Sequence, residues 1–369
     1  MNSSPTAKNY VKIKRVLFLS EIILSILAIS IFLIYGASSR LESIFSNYYP
    51  NILIKNALYI VLSSLLFSIL FFPLNWYGHF RIEHKFGLSN QSFLNYLAEG
   101  AKLFLINIIM AVIAGEFLYY FLRVSHENWW IWAGAFYSFF SVIVGRLAPI
   151  LILPLFYRVR PVEDEKLIQK IRSMAKSVGM RLIGIFVMDM SRKTKKANAM
   201  FTGLGRAKRI IFGDTLLDHF SADEIEVILA HEMGHYSHRD ILRFLGLGCV
   251  ASFLSLFTAS KVLRCILDWA GISKIDDIAG LPGLLLVFMF LGLILLPVQN
   301  AYSRRRERMA DIFALKMTKK REAFITAMKK LADMNLSDVN PPRWIEILLY
   351  NHPSIQNRIR LAESWKDLG

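Results

Sequence analysis

A chain of 369 residues that is 54% hydrophobic, with a mean hydropathy of +0.41, is too apolar for an ordinary soluble protein. A formal net charge of +16 would suit nucleic acid only on a soluble basic domain with recognition elements, and none is visible. Cys249 and Cys265 lie in or beside one apolar stretch, which fits neither a zinc-ligand spacing nor a disulfide pair, so they read as packing residues.

Residues 1–14 are polar and read as a loose segment. Six stretches are then apolar enough, and about long enough, to cross a bilayer: 16–35, 57–74, 103–122, 129–155, 244–263 and 281–298. The first is no cleaved signal peptide, because it is long, carries Glu21 and is followed by no small-residue cleavage site. Lys8, Lys12, Lys14 and Arg15 precede the first span, Arg81, Lys85 and Lys102 separate the second from the third, and most other Lys and Arg lie in 157–243 and after 302. The remaining loops are sparsely basic and carry Asp268, Asp276 and Asp277. The positive-inside rule therefore puts both termini and the polar regions in the cytoplasm, which an even number of spans allows. The basic excess reads as topology, with anionic headgroups as a further partner.

Residues 75–100 are too polar to cross and form a cytoplasmic connection with a tight turn at Gly87. The third and fourth spans carry Glu116 and Arg146. Ionisable groups at membrane depth face an interior or a wet cavity, so these two line a chamber, pair with each other, or sit shallower than the spans suggest. From Tyr157 the chain is water-soluble in character. Leu167, Ile168, Ile171, Met174 and Val178 form one helical face ended by Gly179. A strand over 183–188, a charged loop over 191–196, and two strands over 197–203 and 208–212 round a Gly-rich turn follow, and Asp214 caps a short helix at 215–217. An extended peptide can add to the edge of such a sheet by main-chain hydrogen bonds, with 197–212 being either that edge or a purely structural hairpin.

Ser221 and Glu224 form a capping box for the next helix, whose apolar stripe is Ile225, Ile228 and Leu229. It carries His231-Glu232-Met233-Gly234-His235. Positions i and i+4 of a helix share a face, so both imidazoles can grip one zinc ion, and Glu232, about 100° round the helix, can reach a water there. This is the H-E-x-x-H arrangement of zinc hydrolases, which needs a third protein ligand and leaves the fourth position open. The candidate is Glu307, where the chain re-emerges after the sixth span; Asp311, four residues on, shares its face and is placed to accept from a ligand histidine's other nitrogen. A last amphipathic helix covers 320–335. His352, held out of a helix by Pro353, can present its ring as an electrophile for a tetrahedral intermediate.

The ordered set of motifs resembles the type I CAAX prenyl proteases, a family of integral-membrane zinc metallopeptidases. The matching pieces are Ile82-Glu83-His84-Lys85-Phe86-Gly87, Pro154-Leu155-Phe156, Asn198-Ala199-Met200-Phe201, Asp214-Thr215-Leu216-Leu217, the zinc motif, Ser303-Arg304-Arg305-Arg306-Glu307 with Ala310-Asp311, and His352-Pro353. The resemblance runs from about residue 50 to 362. The resemblance implies one Zn2+ per chain on His231, His235 and Glu307, Glu232 as general base, His352 as a transition-state stabiliser, and Asn198, Ala199 and Met200 on a substrate-binding edge strand. It also implies a polypeptide substrate, an isoprenylated protein that loses the last three residues of its CAAX box, and a water-filled chamber enclosed by the spans. Members of that family have seven spans and this chain shows six, the missing one being early.

The expected fold is mainly α: a polytopic membrane helical bundle with a small cytoplasmic zincin-like α+β catalytic region. Residues 1–156 would form the amino-terminal membrane domain with four spans, 157–243 the catalytic region, 244–301 a membrane hairpin, and 302–369 the helical part supplying the third ligand. The partners are a polypeptide and the lipid bilayer, with no nucleic acid. The compact chain suits a bacterial inner membrane with the site facing the cytoplasm, or the endoplasmic reticulum in a eukaryote. The rival protease reading is a quality-control enzyme similar to the heat-shock membrane protease HtpX, which has fewer spans and lacks the loop around Glu83. A non-catalytic scaffold or transporter is disfavoured by Glu232, since a structural metal site needs no base.

Overall fold

The computed structural model describes residues 4–202 and 207–365. The amino-terminal half is helical: α1 (Pro5–Ile34), α2 (Ala37–Tyr48), α3 (Ile52–Trp76), α4 (Ile82–Lys85), α5 (Phe93–Val124), α6 (Trp129–Leu147) and α7 (Leu153–Phe156). Wider π turns join α3 to α4 and α6 to α7, so each pair reads as one long rod. Strand β1 (Val159–Pro161), helix α8 (Glu165–Ser177) and strands β2 (Arg181–Met188), β3 (Ala199–Thr202) and β4 (Ala207–Gly213) follow, then helices α9 (Asp214–His219) and α10 (Ala222–Ser237). The chain ends with α11 (Asp240–Trp269), α12 (Leu281–Thr318), α13 (Arg321–Met334), α14 (Arg343–Leu349) and α15 (Ile355–Ser364).

Among the described residues, six helical rods are long and apolar enough to cross a membrane, and they coincide with the six stretches expected from the sequence, the first ending at Ile34 instead of Tyr35. Their ends differ from expectation. Residues 5–14 are not loose: the Ser4 side chain caps α1 by accepting from the Ala7 N–H at 3.1 Å, Pro5 opens the helix, and Tyr10 is buried against Ile82 and Leu88. The 75–100 connection is mostly helix, and the turn within it rests on Gly87 at φ 68°, a left-handed conformation that disfavours a side chain. Among the rods, Tyr59, Tyr119, Leu122, Trp129, Leu263 and Leu267 form a buried core. Glu116 receives Asn56 Nδ2 at 3.4 Å, whereas Arg146 is exposed, so the two do not pair. The cysteines are free, and neither is a packing residue in the core: Cys265 is exposed and Cys249 half-buried.

The sheet has the order β1-β2-β4-β3, with β2 and β4 parallel and the other pairs antiparallel. One face packs its Ile185, Val187, Ile210 and Phe212 onto α8, α10, α13 and α15 to form the main core, and β3 is left at the edge. The Gly-rich turn expected between the last two strands lies outside the described residues. Asp214 is the first residue of α9 rather than its cap: it accepts from the N–H of Ser191 at 2.8 Å and so ties α9 to the preceding loop. That loop also bonds to the connection after α4, Lys195 N to Leu88 O at 3.0 Å and Asn90 N to Lys193 O at 2.9 Å. The approach to β3 is thereby anchored on the membrane helices.

Candidate active site

Helix α10 begins at the expected capping box. Ser221 receives the Glu224 N–H, Glu224 receives the Ser221 N–H at 2.8 Å, and Lys330 on α13 lies 2.7 Å from the same carboxylate. Ile225, Ile228 and Leu229 are buried in the main core, which turns the opposite face of the helix toward α12. At the crossing sits Gly234. A Cβ there would come within 2.9 Å of Ala310 Cα and 3.1 Å of Phe313 Cβ, so only glycine allows this approach.

The approach brings His231, His235 and Glu307 together, with one ligand atom from each lying within 4.8 Å of the others. His231 Nε2 is 3.2 Å from His235 Nε2 and 3.3 Å from Glu307 Oε2, and His235 Nε2 is 3.3 Å from Glu307 Oε1. Nδ1 of His231 donates to Asp311 Oδ1 at 2.8 Å, as expected, and Nδ1 of His235 donates to Asp240 Oδ2 at 2.8 Å. With both Nδ1 protons so engaged, each neutral ring points a bare Nε2 lone pair inward. Glu307 Oε2 is buried with no hydrogen-bond donor. Three electron-pair donors thus converge with nothing of opposite character between them, which fits a cation. A tetrahedral zinc ion with bonds of about 2.0–2.1 Å sets its ligand atoms about 3.3–3.4 Å apart, close to the observed spacing.

The field agrees. Burial pulls the His231 ring toward its neutral form, but the carboxylates of Asp311 and Glu307 outweigh this and push its pKa up to about 9, so the site favours a positive charge that a bound cation would supply in place of a proton on Nε2. The pKa of His235 is also raised: burial works against it, and Glu307 again prevails. Burial lifts the carboxyl of Glu232 above its usual range, toward the value a general base needs.

Behind each ligand histidine stands an aspartate, and behind each aspartate an arginine. Arg358 holds Asp311 by two hydrogen bonds, one of them from Nε at 2.9 Å, and Arg306 holds Asp240. All four of these residues are buried. Asp240, Arg306 and Arg358 were not legible as site residues. Asp240 looks like the first polar residue before a span, and it reaches His235 because Arg239 turns the chain at φ 55°.

Asn198, Ala199, His231, Glu232, Glu307 and His352 line one cavity of about 500 Å³. His352 Nε2 lies 3.3 Å from Glu307 Oε1, and its Nδ1 is 2.8 Å from Asn351 Oδ1. Met200 does not join them: strand alternation turns its side chain away, onto Met188, Met190 and Ile211. Phe201 instead lines a second cavity of about 260 Å³, with Lys208, Tyr236 and Phe244, on the other side of Glu232.

Residues 161–366 match Peptidase family M48, and residues 5–158 match the CAAX prenyl protease N-terminal region, described as having five membrane helices. The chain belongs to peptidase family M48. It is a membrane metalloendopeptidase, and its 5–158 region carries four candidate spans where the family description gives five. It is 28% identical over 361 residues to the Bacillus subtilis metalloprotease YhfN, covering 97% of this chain and 84% of that one. With CAAX prenyl protease 1 of Saccharomyces cerevisiae it shares 30% identity over 322 residues, 81% of this chain and 70% of the yeast one. The crystal structure of S. mikatae Ste24p superposes with a TM-score of 0.86 at 24% identity, over 96% of this chain and 87% of that one, so the two share a fold. The match to both parts of the CAAX protease architecture leaves the quality-control alternative unfavoured.

Proposed function

We propose that this chain is a zinc endopeptidase that trims isoprenylated polypeptides at a carboxy-terminal CAAX box, from a site facing the cytoplasm of a bacterial cell membrane. The observation that carries this reading is the course of β3. Its outer edge is unpaired among the described residues, and Ala199 at its start, with Asn198 just before it, shares one cavity with Glu232, Glu307 and His352. A substrate laid along that edge in extended form exchanges main-chain hydrogen bonds with β3 and passes its scissile carbonyl across Glu232.

His231, His235 and Glu307 would hold zinc, which supplies Lewis acidity at that point. Glu232 takes a proton from the attacking water and later delivers it to the leaving amine. His352 faces the same cavity and stabilises the carbonyl oxygen as it gains charge. Asp311 and Asp240 keep the two ligand rings in the tautomer that leaves Nε2 free. The isoprenylated substrate class comes from the relatives named CAAX prenyl proteases, and the bacterial setting from the Bacillus relative that matches 97% of this chain. The cytoplasmic orientation rests on the distribution of Lys and Arg.

The test is cleavage of a farnesylated CAAX peptide by the detergent-purified chain, with and without a zinc chelator, beside Glu232→Gln. Chelator-sensitive release of the last three residues is expected, with the variant retaining zinc and losing about 10²–10⁴-fold in rate. Degradation of an unfolded membrane protein with no cleavage of the peptide would keep the metallopeptidase and overturn the substrate class. Near wild-type activity in Glu232→Gln would overturn the mechanism.

A further inference from the structure

Arg304 lies one turn before Glu307 on α12, and the chemistry above leaves it without a role. Its Nη1 points at the end of α14, donating to the carbonyl oxygens of Glu346 at 2.9 Å, Ile347 at 3.1 Å and Tyr350 at 2.6 Å. Asn300, one turn earlier on α12, donates from Nδ2 to Leu348 O at 2.8 Å. The last carbonyls of a helix have no partner within it, so α14 ends on the side chains of α12. That one nitrogen carries two protons, which the three carbonyls share, and the flat guanidinium fixes it in a plane as a freely rotating ammonium does not.

The segment after α14 is the turn that carries His352. Its far end is tied to the same helix: the Glu346 carboxylate accepts from Ser354 N at 3.0 Å and from Asn357 Nδ2 at 3.0 Å. Ser354 in turn caps α15, the helix that delivers Arg358 to Asp311. Pro353 keeps the turn from continuing either helix. The position of His352 over Glu307 is therefore set by how α14 is fastened to α12.

We propose that Arg304 is a positioning residue for peptide hydrolysis. It clasps the carboxy-terminal end of α14 and so holds His352 in register with the helix that supplies the metal ligand. This inference rests on the reading of His352 as the group that stabilises the transition state. It explains why an arginine at position 304 accompanies Glu307, although it touches neither substrate nor ligand.

The experiment measures kcat, KM and zinc content of the full chain and of Arg304→Gln, Arg304→Lys, His352→Ala and Arg304→Gln/His352→Ala. It uses whichever of the two substrates above the wild type cleaves. Arg304→Gln is expected to lower kcat by about 10–100-fold with KM within about twofold and full zinc content, and Arg304→Lys to fall between it and wild type. In the His352→Ala background, Arg304→Gln should cost less than about twofold more, because the group it positions is already gone. Multiplicative losses in the double variant, a change confined to KM, loss of zinc from Arg304→Gln, or wild-type kcat in that variant would each overturn the clasp. Wild-type activity in His352→Ala would overturn the role of His352 itself, whereas an impaired His352→Ala beside an unimpaired Arg304→Gln would overturn only the clasp.

Discussion

Asp240→Asn separates holding the metal from holding the fold. In the wild type, Asp240 accepts the His235 Nδ1 proton at 2.8 Å and is the charged partner of Arg306. Asparagine keeps a weaker acceptor and offers Arg306 no counter-charge. The tautomer preference that leaves Nε2 bare is then loosened, and metal affinity should fall about 10–100-fold, or about 1.4–2.7 kcal/mol. Arg306, whose side chain is 6% exposed, keeps Met309 Sδ at 3.0 Å as a weak contact, and a buried charge left unpaired costs about 3–5 kcal/mol of stability. Adding Arg306→Met removes that orphaned charge. The double variant should regain most of the melting temperature while its zinc affinity stays low. Competition with a chromophoric chelator measures the affinity, and thermal melts in chelator measure the fold. Zinc affinity within twofold of wild type in Asp240→Asn, or full recovery of affinity in the double variant, would refute the reasoning.

Gly234→Ala should force α10 away from α12, since its Cβ would meet Ala310 Cα at 2.9 Å; a loss of about 1–3 kcal/mol in denaturant melts and weaker zinc binding are expected. Glu307→Ala should reduce zinc content on elemental analysis, and wild-type content would show that another group completes the site. Glu224 bears on acid stability: burial raises its pKa, but Lys330 and the Ser221 N–H prevail and hold it below the usual carboxylate range. A lowered folded pKa gives stability that is complete above the unfolded value of about 4.3 and is lost as pH falls through the folded one. In chelator, Glu224→Gln should therefore cost about 1 kcal/mol at neutral pH, with the gap from wild type closing in acid. A gap independent of pH would show that the carboxylate's charge is not what matters.

Much of the site was legible because its signals run along the chain. His231 and His235 share a face by helix geometry, Glu307 and Asp311 do the same on α12, and Ser221 with Glu224 marked where α10 begins. The partners that hold the ligands were not legible. Asp240 is close in sequence to His235 but reads as a helix start, while Arg358 lies 127 residues from the ring it flanks. Met200 shows the same limit: a run of residues can be placed on a strand, but its side chain packs beneath the sheet, and only Asn198 and Ala199 before it face the cavity.

The sequence by itself determined six stretches long and apolar enough to cross a membrane, a capped helix presenting two imidazoles, and a carboxylate ready to join them. Each follows from composition, from the 3.6-residue period or from the bilayer's thickness, which act locally. Only the tertiary structure decided that α10 and α12 cross at a glycine, close enough for three donors to meet. It also decided that an arginine stands behind each aspartate, and that Arg304 fastens the turn bearing His352. Those contacts depend on which faces of distant helices meet, a choice made by packing in the core and by the need to pair every buried charge.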